Sequence, residues 1–284
     1  MEFSMPKSSL SVKINKIRED RESISDDNVA VEEPLEIQIC SNTSDLTAAK
    51  SVSITMRTPG HDFDLALGFL YTESIIKHMD DIVSINHVGN LDNDAEYSNT
   101  VRVELKPTAD VDLERLKRHF YTTSSCGVCG KVSIEALENI GLTPIKSNFQ
   151  IKKSELVKIP IKLEKEQKIF GKTGGLHAAA AFNENGEIII VREDIGRHNA
   201  LDKIIGALLK NNQSTVNNTA FMVSGRTSFE LVQKSIAYGA PLLAAVSAPS
   251  SLAIQLSKEF DMTLIGFLRK GNFNIYNKSE RIVS

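Results

Sequence analysis

The chain has 284 residues, 41% of them hydrophobic and 24% charged, enough to bury one large core or two ordinary ones. A net charge of −3 and a pI near 6.1 exclude the broad basic surface that nucleic acid or an anionic membrane would require. No apolar run approaches transmembrane length and the N-terminus lacks the apolar centre of a signal peptide, so a cytoplasmic protein with reduced thiols is expected.

Residues 1–33 are polar and charge-mixed and read as a mobile arm with room for one short strand. Residues 35–40 and 51–57 alternate apolar and polar and predict a pair of strands, with Cys40 turned into the core at a strand end. After the turn Arg57-Thr-Pro-Gly-His-Asp62, apolar residues at helical spacing predict a helix over 63–76, and Asp62 and Asp64 suit its positive end. Strands are expected at 82–88 and 100–105, around an acidic, Asn-rich loop. Residues 34–142 thus read as an α+β domain, and 143–169, Lys-rich and interrupted by Pro144 and Pro160, as a connecting region with a short helix over 161–169. From 170 to 284 strand and helix patterns alternate. Strands are expected at 178–182, 187–192, 219–223, 241–246 and 263–267, and helices at 197–210, 228–238 and 250–260. That alternation predicts a layered α/β domain with a mostly parallel sheet.

Within 34–142 lies Thr122-Thr-Ser-Ser-Cys-Gly-Val-Cys-Gly-Lys131, between helical patterns at 113–121 and 132–140. Two of the three cysteines, Cys126 and Cys129, therefore sit on a Gly-flanked turn near a helix N-terminus. Free helical amides and Lys131 there favour thiolate over thiol. A zinc half-site is an alternative, but a closed zinc site needs four ligands; Cys40 is the one further cysteine, and the candidates His61, His119, His177 and His198 have no regular ligand spacing to the pair. A thioredoxin-like dithiol would follow a strand, whereas here a helical pattern runs into the motif. A structural disulfide is disfavoured in a chain without a secretion signal. Sulfur chemistry is favoured over zinc.

In open α/β sheets ligands gather beyond the carboxyl ends of strands. Four such junctions here are polar: residues 192–199, 224–228, 247–251 and 267–272. Three run into helix N-termini, where amides and hydroxyls bind phosphate. Arg192, Arg197, Arg226, Arg269 and Lys270 could neutralise a diphosphate, and Gly174-Gly175 before His177 permits a close backbone approach. Each junction alone also reads as ordinary capping, Arg197 and His198 as a surface cluster with Glu193 and Asp194, and His177 as a core histidine. No phosphate-loop or Gly-x-Gly-x-x-Gly fingerprint is present. The residues point to a site for a phosphorylated, nucleotide-bearing ligand.

Taken together, the motifs resemble one family. Thr58-Pro-Gly-His-Asp-Phe-Asp-Leu-Ala-Leu-Gly-Phe-Leu, Ser124-Ser-Cys-Gly-Val-Cys-Gly130 and Thr173-Gly-Gly-Leu-His-Ala-Ala-Ala180 look like blocks of the FdhD family, sulfur carriers required for formate dehydrogenase activity. So do Val191-Arg-Glu-Asp-Ile-Gly-Arg-His-Asn-Ala-Leu-Asp-Lys203, Val223-Ser-Gly-Arg-Thr-Ser-Phe-Glu-Leu231, Ala244-Ala-Val-Ser-Ala-Pro-Ser-Ser-Leu-Ala253 and Gly266-Phe-Leu-Arg-Lys-Gly-Asn-Phe-Asn274. The resemblance spans about residues 35–276. It implies a sulfurtransferase that takes persulfide sulfur from a cysteine desulfurase and passes it to the molybdenum of a bis(molybdopterin guanine dinucleotide) cofactor destined for formate dehydrogenase. By position, Cys126 would carry the persulfide and Cys129 would assist transfer. Phe267, Leu268, Arg269, Lys270, Gly271 and Asn272 match the family's cofactor-binding stretch, and Ser224, Gly225, Arg226, His177 and Arg197 are expected beside it. The resemblance also implies a homodimer and an α/β architecture: a C-terminal layered α/β/α domain, cytidine-deaminase-like, beside a smaller N-terminal α+β domain. Zinc deaminases need His-x-Glu and Pro-Cys-x-x-Cys. Here Ala-Ala follows His177 and no cysteine lies in 170–284, so no metal ion is expected to be held by the protein itself. A cofactor chaperone that transfers no sulfur is the alternative.

Overall fold

The computed structural model describes residues 7–19, 21–41, 49–89, 98–109, 111, 141–211 and 218–284. Cys126, Cys129, His119, the whole 122–131 stretch and its two flanking helical patterns lie outside the described residues.

The expected arm contains a β-hairpin, with β1 (Ser9–Arg18) antiparallel to β2 (Arg21–Ala30). A four-stranded sheet follows, in the order β4 (Lys50–Arg57), β3 (Glu33–Cys40), β6 (Thr100–Leu105), β5 (Ile82–His87). Its inner face, with Leu35, Ile37, Val101 and Val103 at 0% exposure, packs on helix α1 (Asp62–Thr72). Helix α1 ends four residues before the apolar pattern does. Ser74 takes a left-handed φ of 56°, and the amides of Ile75 and Ile76 both bond back to the Leu70 carbonyl. Both isoleucines stay buried at 2% exposure, so the periodicity identified core residues while the chain had already left the helix.

The connecting region is more ordered than its composition suggests. Short strand β7 (Ile151–Lys152), one helical turn and helix α2 (Ile159–Glu166) lead to a second turn at Phe170–Thr173. Beyond it lie β8 (His177–Phe182), β9 (Ile188–Asp194), α3 (Arg197–Lys210), β10 (Ala220–Val223), α4 (Phe229–Tyr238), β11 (Leu242–Ala245) and α5 (Ser251–Glu259). Strands β12 (Thr263–Arg269), β13 (Asn272–Asn277) and β14 (Ile282–Val283), the last parallel to β7, complete the chain.

The sheet is six-stranded, in the order β13-β12-β11-β10-β8-β9. The expectation of a mostly parallel sheet is corrected here. Only β10–β11 and β11–β12 run parallel, while β8, β9 and β13 pair antiparallel. The cause is loop length: the Asn183–Gly186 turn and the Lys270-Gly271 turn are too short to make a parallel crossover. Both faces are covered. Ala179, Phe221, Val223 and Leu243 face Leu201, Ile204, Ile205, Val232 and Leu256 of α3, α4 and α5. Ala178, Met222, Leu242 and Ile265 face Phe149, Leu156, Ile159 and Leu163. Each fully buried Val, Leu, Ile, Met or Phe side chain among them contributes roughly 1.5–3 kcal/mol as an upper estimate.

The two layers join where α1 crosses α3. A Cβ on Gly68 would stand 2.6 Å from the Asp202 carbonyl carbon, and one on Gly206 would stand 2.7 Å from that of Asp64. Only glycine at both positions permits this backbone approach. Around the crossing, the Lys234 ammonium bonds Asp202 and Glu73 at 3.0 Å and Thr72 Oγ1 at 2.9 Å. Burial alone would push Lys234 down, but the two carboxylates override it and hold the ammonium above the usual lysine range.

Candidate functional site at the strand ends

The site begins with a buried clamp. Asp194, at the end of β9, is 0% exposed and pairs with Lys203 at 2.7 Å. Its carboxylate also accepts from the amides of Gly196 (2.8 Å) and Thr58 (3.2 Å) and from Asn199 Nδ2 (3.0 Å). Lys203 Nζ donates to the Thr58 carbonyl at 2.8 Å, the Ile195 amide to Thr58 Oγ1 at 3.2 Å, and Asn199 Nδ2 to the Met56 carbonyl at 2.8 Å. The 57–62 turn is thereby fixed to the β9–α3 junction. Arg57 extends the clamp, gripping Asp62 with two bonds of 2.9 and 3.1 Å and reaching Asn99 at 2.8 Å. No buried side-chain nitrogen or oxygen of the clamp is without a hydrogen-bond partner, which is the condition for such a network to rigidify rather than destabilise.

On that rigid base the junctions touch one another. Ser224 locks the end of β10 to β8, its amide donating to the Ala178 carbonyl and its hydroxyl accepting from the Ala178 amide, both at 2.9 Å. At Gly225 a Cβ would meet His177 Nδ1 at 3.3 Å, so the glycine lets the imidazole lie against the strand end. Ser228 holds the N-cap position of α4 without capping it; its hydroxyl bonds His198 Nε2 at 3.1 Å. Thr227 bonds Ala248 and Ser250 through its backbone, joining the β10 and β11 ends, and the Phe267 amide donates to Ser247 at 3.1 Å. Ser250 caps α5 by accepting from the Ala253 amide.

The segment 267–272 is the tip of the β12–β13 hairpin. Lys270 and Gly271 both have positive φ, 51° and 76°, the primed turn that two-residue hairpins favour. Phe267 also lies in the left-handed region at 56°, where the pairing slips between Gly266 and Arg269. For an aromatic residue that costs about 1–2 kcal/mol. The slip turns Phe267 so that the Arg269 guanidinium lies 5.7 Å from its ring centroid. Arg269, Lys270, Gly271 and Asn272 are exposed, whereas the Leu268 side chain is fully buried in the core.

Arg226 is likewise exposed and Arg197 half-buried, and among the described residues neither the Arg197 Nε nor the buried Thr227 hydroxyl has a hydrogen-bond partner. Arg192 differs from the expectation: it bonds Asp64 at 2.9 and 3.3 Å, so its charge is spent on structure rather than on a diphosphate. Burial, and then the nearby Arg197, push His198 down to about 4 and lower His177. Both imidazoles are thus neutral at pH 7 and able to accept a hydrogen bond or stack. Burial and the Arg192 charge likewise bring His61 down to about 4; it lines a cleft of about 240 Å³ with Phe63, Asp64, Arg192 and Lys210. Among the described residues no group of three or more His, Cys, Asp or Glu is placed to hold a metal ion, and no helix is long and apolar enough to cross a membrane.

Sequence reasoning missed Asp194, Lys203, Thr58 and Thr227 as builders of this edge. A lysine one position after an aspartate in an otherwise apolar helix was the available signal for Lys203.

A model of the FdhD/NarQ family matches residues 30–283. The curated relatives include the sulfur carrier protein FdhD of Mycolicibacterium paratuberculosis, 45% identical over 90% of this chain and 92% of the relative. That of Streptomyces coelicolor is 42% identical over 95% of this chain and 94% of its own length, and that of Saccharolobus solfataricus 41% over 90% and 91%. Among solved structures, a chain described as a formate dehydrogenase accessory protein from Desulfotalea psychrophila aligns with a TM-score of 0.75. It is 24% identical, covers 98% of this chain and is itself wholly covered, which establishes the shared fold.

Proposed function

The chain belongs to the FdhD/NarQ family, and on that premise we propose that it is a cytoplasmic sulfur carrier serving formate dehydrogenase. The observation that carries this reading is the close likeness, over nine-tenths of the chain, to proteins named sulfur carrier protein FdhD. The Cys126-x-x-Cys129 pair falls inside the matched span.

In this reading a cysteine desulfurase presents a persulfide. The Cys126 thiolate attacks its terminal sulfur, the donor's S–S bond breaks, and the donor leaves as a thiolate while the new persulfide forms on Cys126. Cys129 assists onward delivery to the molybdenum of the bis(molybdopterin guanine dinucleotide) cofactor, which is cargo here. The strand-end edge of the cytidine-deaminase-like layer binds that cofactor. Exposed Arg226, Arg269 and Lys270 meet the diphosphates, Arg197 adds charge, and neutral His177 with the Ser224–Gly225 backbone offers hydrogen bonds and a flat surface. The protein acts as a homodimer.

The test is peptide mass spectrometry after incubation with a cysteine desulfurase and cysteine. One added sulfur on the 126–129 peptide is expected, lost in Cys126→Ala. Donor turnover with no sulfur on any peptide would refute covalent carriage. The exposed basic strand ends also support a second reading, a chaperone that holds the cofactor without forming a bond to sulfur. In that case both cysteines would be dispensable for formate dehydrogenase activity, and Arg226→Ala or Arg269→Ala would abolish it.

A further inference from the structure

A cavity of about 950 Å³ lies at the other end of the six-stranded sheet. It borders Glu184 in the β8–β9 turn, Asn218 before β10 and Asp261 before β12. It therefore opens at the amino ends of the strands whose carboxyl ends form the site above. Its long wall is residues 145–150. Ile145 and Phe149 are buried, Ser147 is half-buried, and Lys146, Asn148 and Gln150 are exposed, which is the two-residue period of an extended strand. The Ile145 amide fixes the start of this strap to the Phe260 carbonyl at 2.9 Å. Its end runs into β7, which β14 pairs in parallel from Ile151 onward. Before Ile282 that pairing breaks off: Lys278 takes a left-handed φ of 53° and Ser279–Arg281 form a tight helical turn. The strap thus loses its ladder neighbour where the cavity opens. Among the described residues, the main-chain groups of Lys146 and Asn148, two positions apart and so on one edge, meet no hydrogen-bond partner.

The charges at the cavity are largely spent on one another. Lys278 pairs with Asp261 at 3.0 Å and with Glu280 at 3.5 Å, and the buried Arg281 donates to the Pro241 and Asp261 carbonyls at 3.1 and 2.6 Å. The exposed Asn148, Gln150 and Asn218 amides and the open main chain remain. That lining suits a hydrogen-bonding, largely uncharged chain and not a diphosphate.

We propose that an extended segment of the recipient enzyme binds here as an added strand, lying along the strap in line with β14. An open strand edge is a ready template for such pairing, with main-chain bonds giving affinity and side-chain contacts selectivity. The recipient is the partner that needs a hold of this kind. It has to stay close while the cofactor sits at the carboxyl ends of the same sheet, and a segment held at the amino ends raises its local concentration without covering that site. The sulfur donor has left before that stage. This groove takes its partner from the carrier reading above and goes beyond it in naming where that partner is held.

The test is fluorescence anisotropy of short overlapping peptides tiling the formate dehydrogenase and the cysteine desulfurase, each titrated with the full chain. A dehydrogenase peptide is expected to bind with a Kd of about 1–100 μM and to slow hydrogen exchange at the Lys146 and Asn148 amides of the wild type. Asn148→Pro removes one donor that the free protein leaves unused, so the melting temperature should hold while binding weakens at least about tenfold. Asn148→Ala keeps the donor and should bind within about threefold of wild type. The groove assignment is overturned if no dehydrogenase peptide binds, if only desulfurase peptides do, or if Asn148→Pro binds as wild type does. Protection confined to the strand-end residues would overturn it too, as would protection of the strap that grows with protein concentration alone, which would give the groove to a second copy. Sulfur loading of the 126–129 peptide is read separately on the same protein: loading without peptide binding sinks the groove alone, and peptide binding without loading sinks the carrier reading alone.

Discussion

The α1–α3 crossing allows a prediction with a worked magnitude. Gly206→Ala places a methyl carbon 2.7 Å from the Asp64 carbonyl carbon and 2.8 Å from the Gly68 nitrogen. Ordinary contact is about 3.5–4.0 Å, so the helices must separate by roughly 1 Å or more. Those neighbours are backbone, which cannot rotate away, and the cost should lie near the top of the overpacking range, about 3 kcal/mol. Alanine returns up to about 1 kcal/mol of helix propensity, leaving a net loss of about 2 kcal/mol. For a chain of this size that lowers the melting temperature by roughly 4–8 °C. Gly171→Ala is the control: nothing lies within 4 Å of its Cβ position, so the melt should not fall. The assay is reversible thermal or urea unfolding of the three proteins. A Gly206→Ala variant melting within about 1 °C of wild type would refute the claim that glycine is required for this approach.

Other expectations follow from the same structure. Lys203→Met leaves the Asp194 carboxylate buried without its cation and should cost about 3–5 kcal/mol in urea unfolding; a loss under about 1 kcal/mol would show that the amide donors suffice alone. Gly271→Ala forces a side chain into a φ of 76° in open space, so only the conformational cost of about 1–2 kcal/mol should appear. His61 and His198 sit near 4 in the fold against 6.5 unfolded, so the unfolded chain takes up protons first as pH falls. Their contribution is therefore intact above pH 6.5 and lost between 6.5 and about 4. The side chains are still 38% and 36% exposed, which holds the loss well below the full value of about 1.4 kcal/mol per unit. Unfolding of wild type and His198→Gln at pH 7.5 and 5 measures it, and an equal acid loss in both would exonerate His198.

What the sequence determined by itself was local. Alternation placed β3, β4 and β6 within a residue or two, because each buries one face whose spacing the chain writes directly, and a continuous apolar run placed β8, which is covered on both faces. The dithiol was visible for the same reason: its spacing and flanking glycines are contiguous. Four junctions were also legible as polar ends of apolar strands. Strand direction was not, because it depends on whether loops such as 183–186 and 270–271 close hairpins, and turn geometry overrode the alternating pattern. Nor could one dimension show that Arg192 spends its charge on Asp64, 128 positions away, or that Lys203 enters the core to meet Asp194 and Thr58. Burying a charge is tolerable only when its partners arrive from elsewhere in the fold, so whether a basic residue serves structure or ligand is decided by tertiary packing.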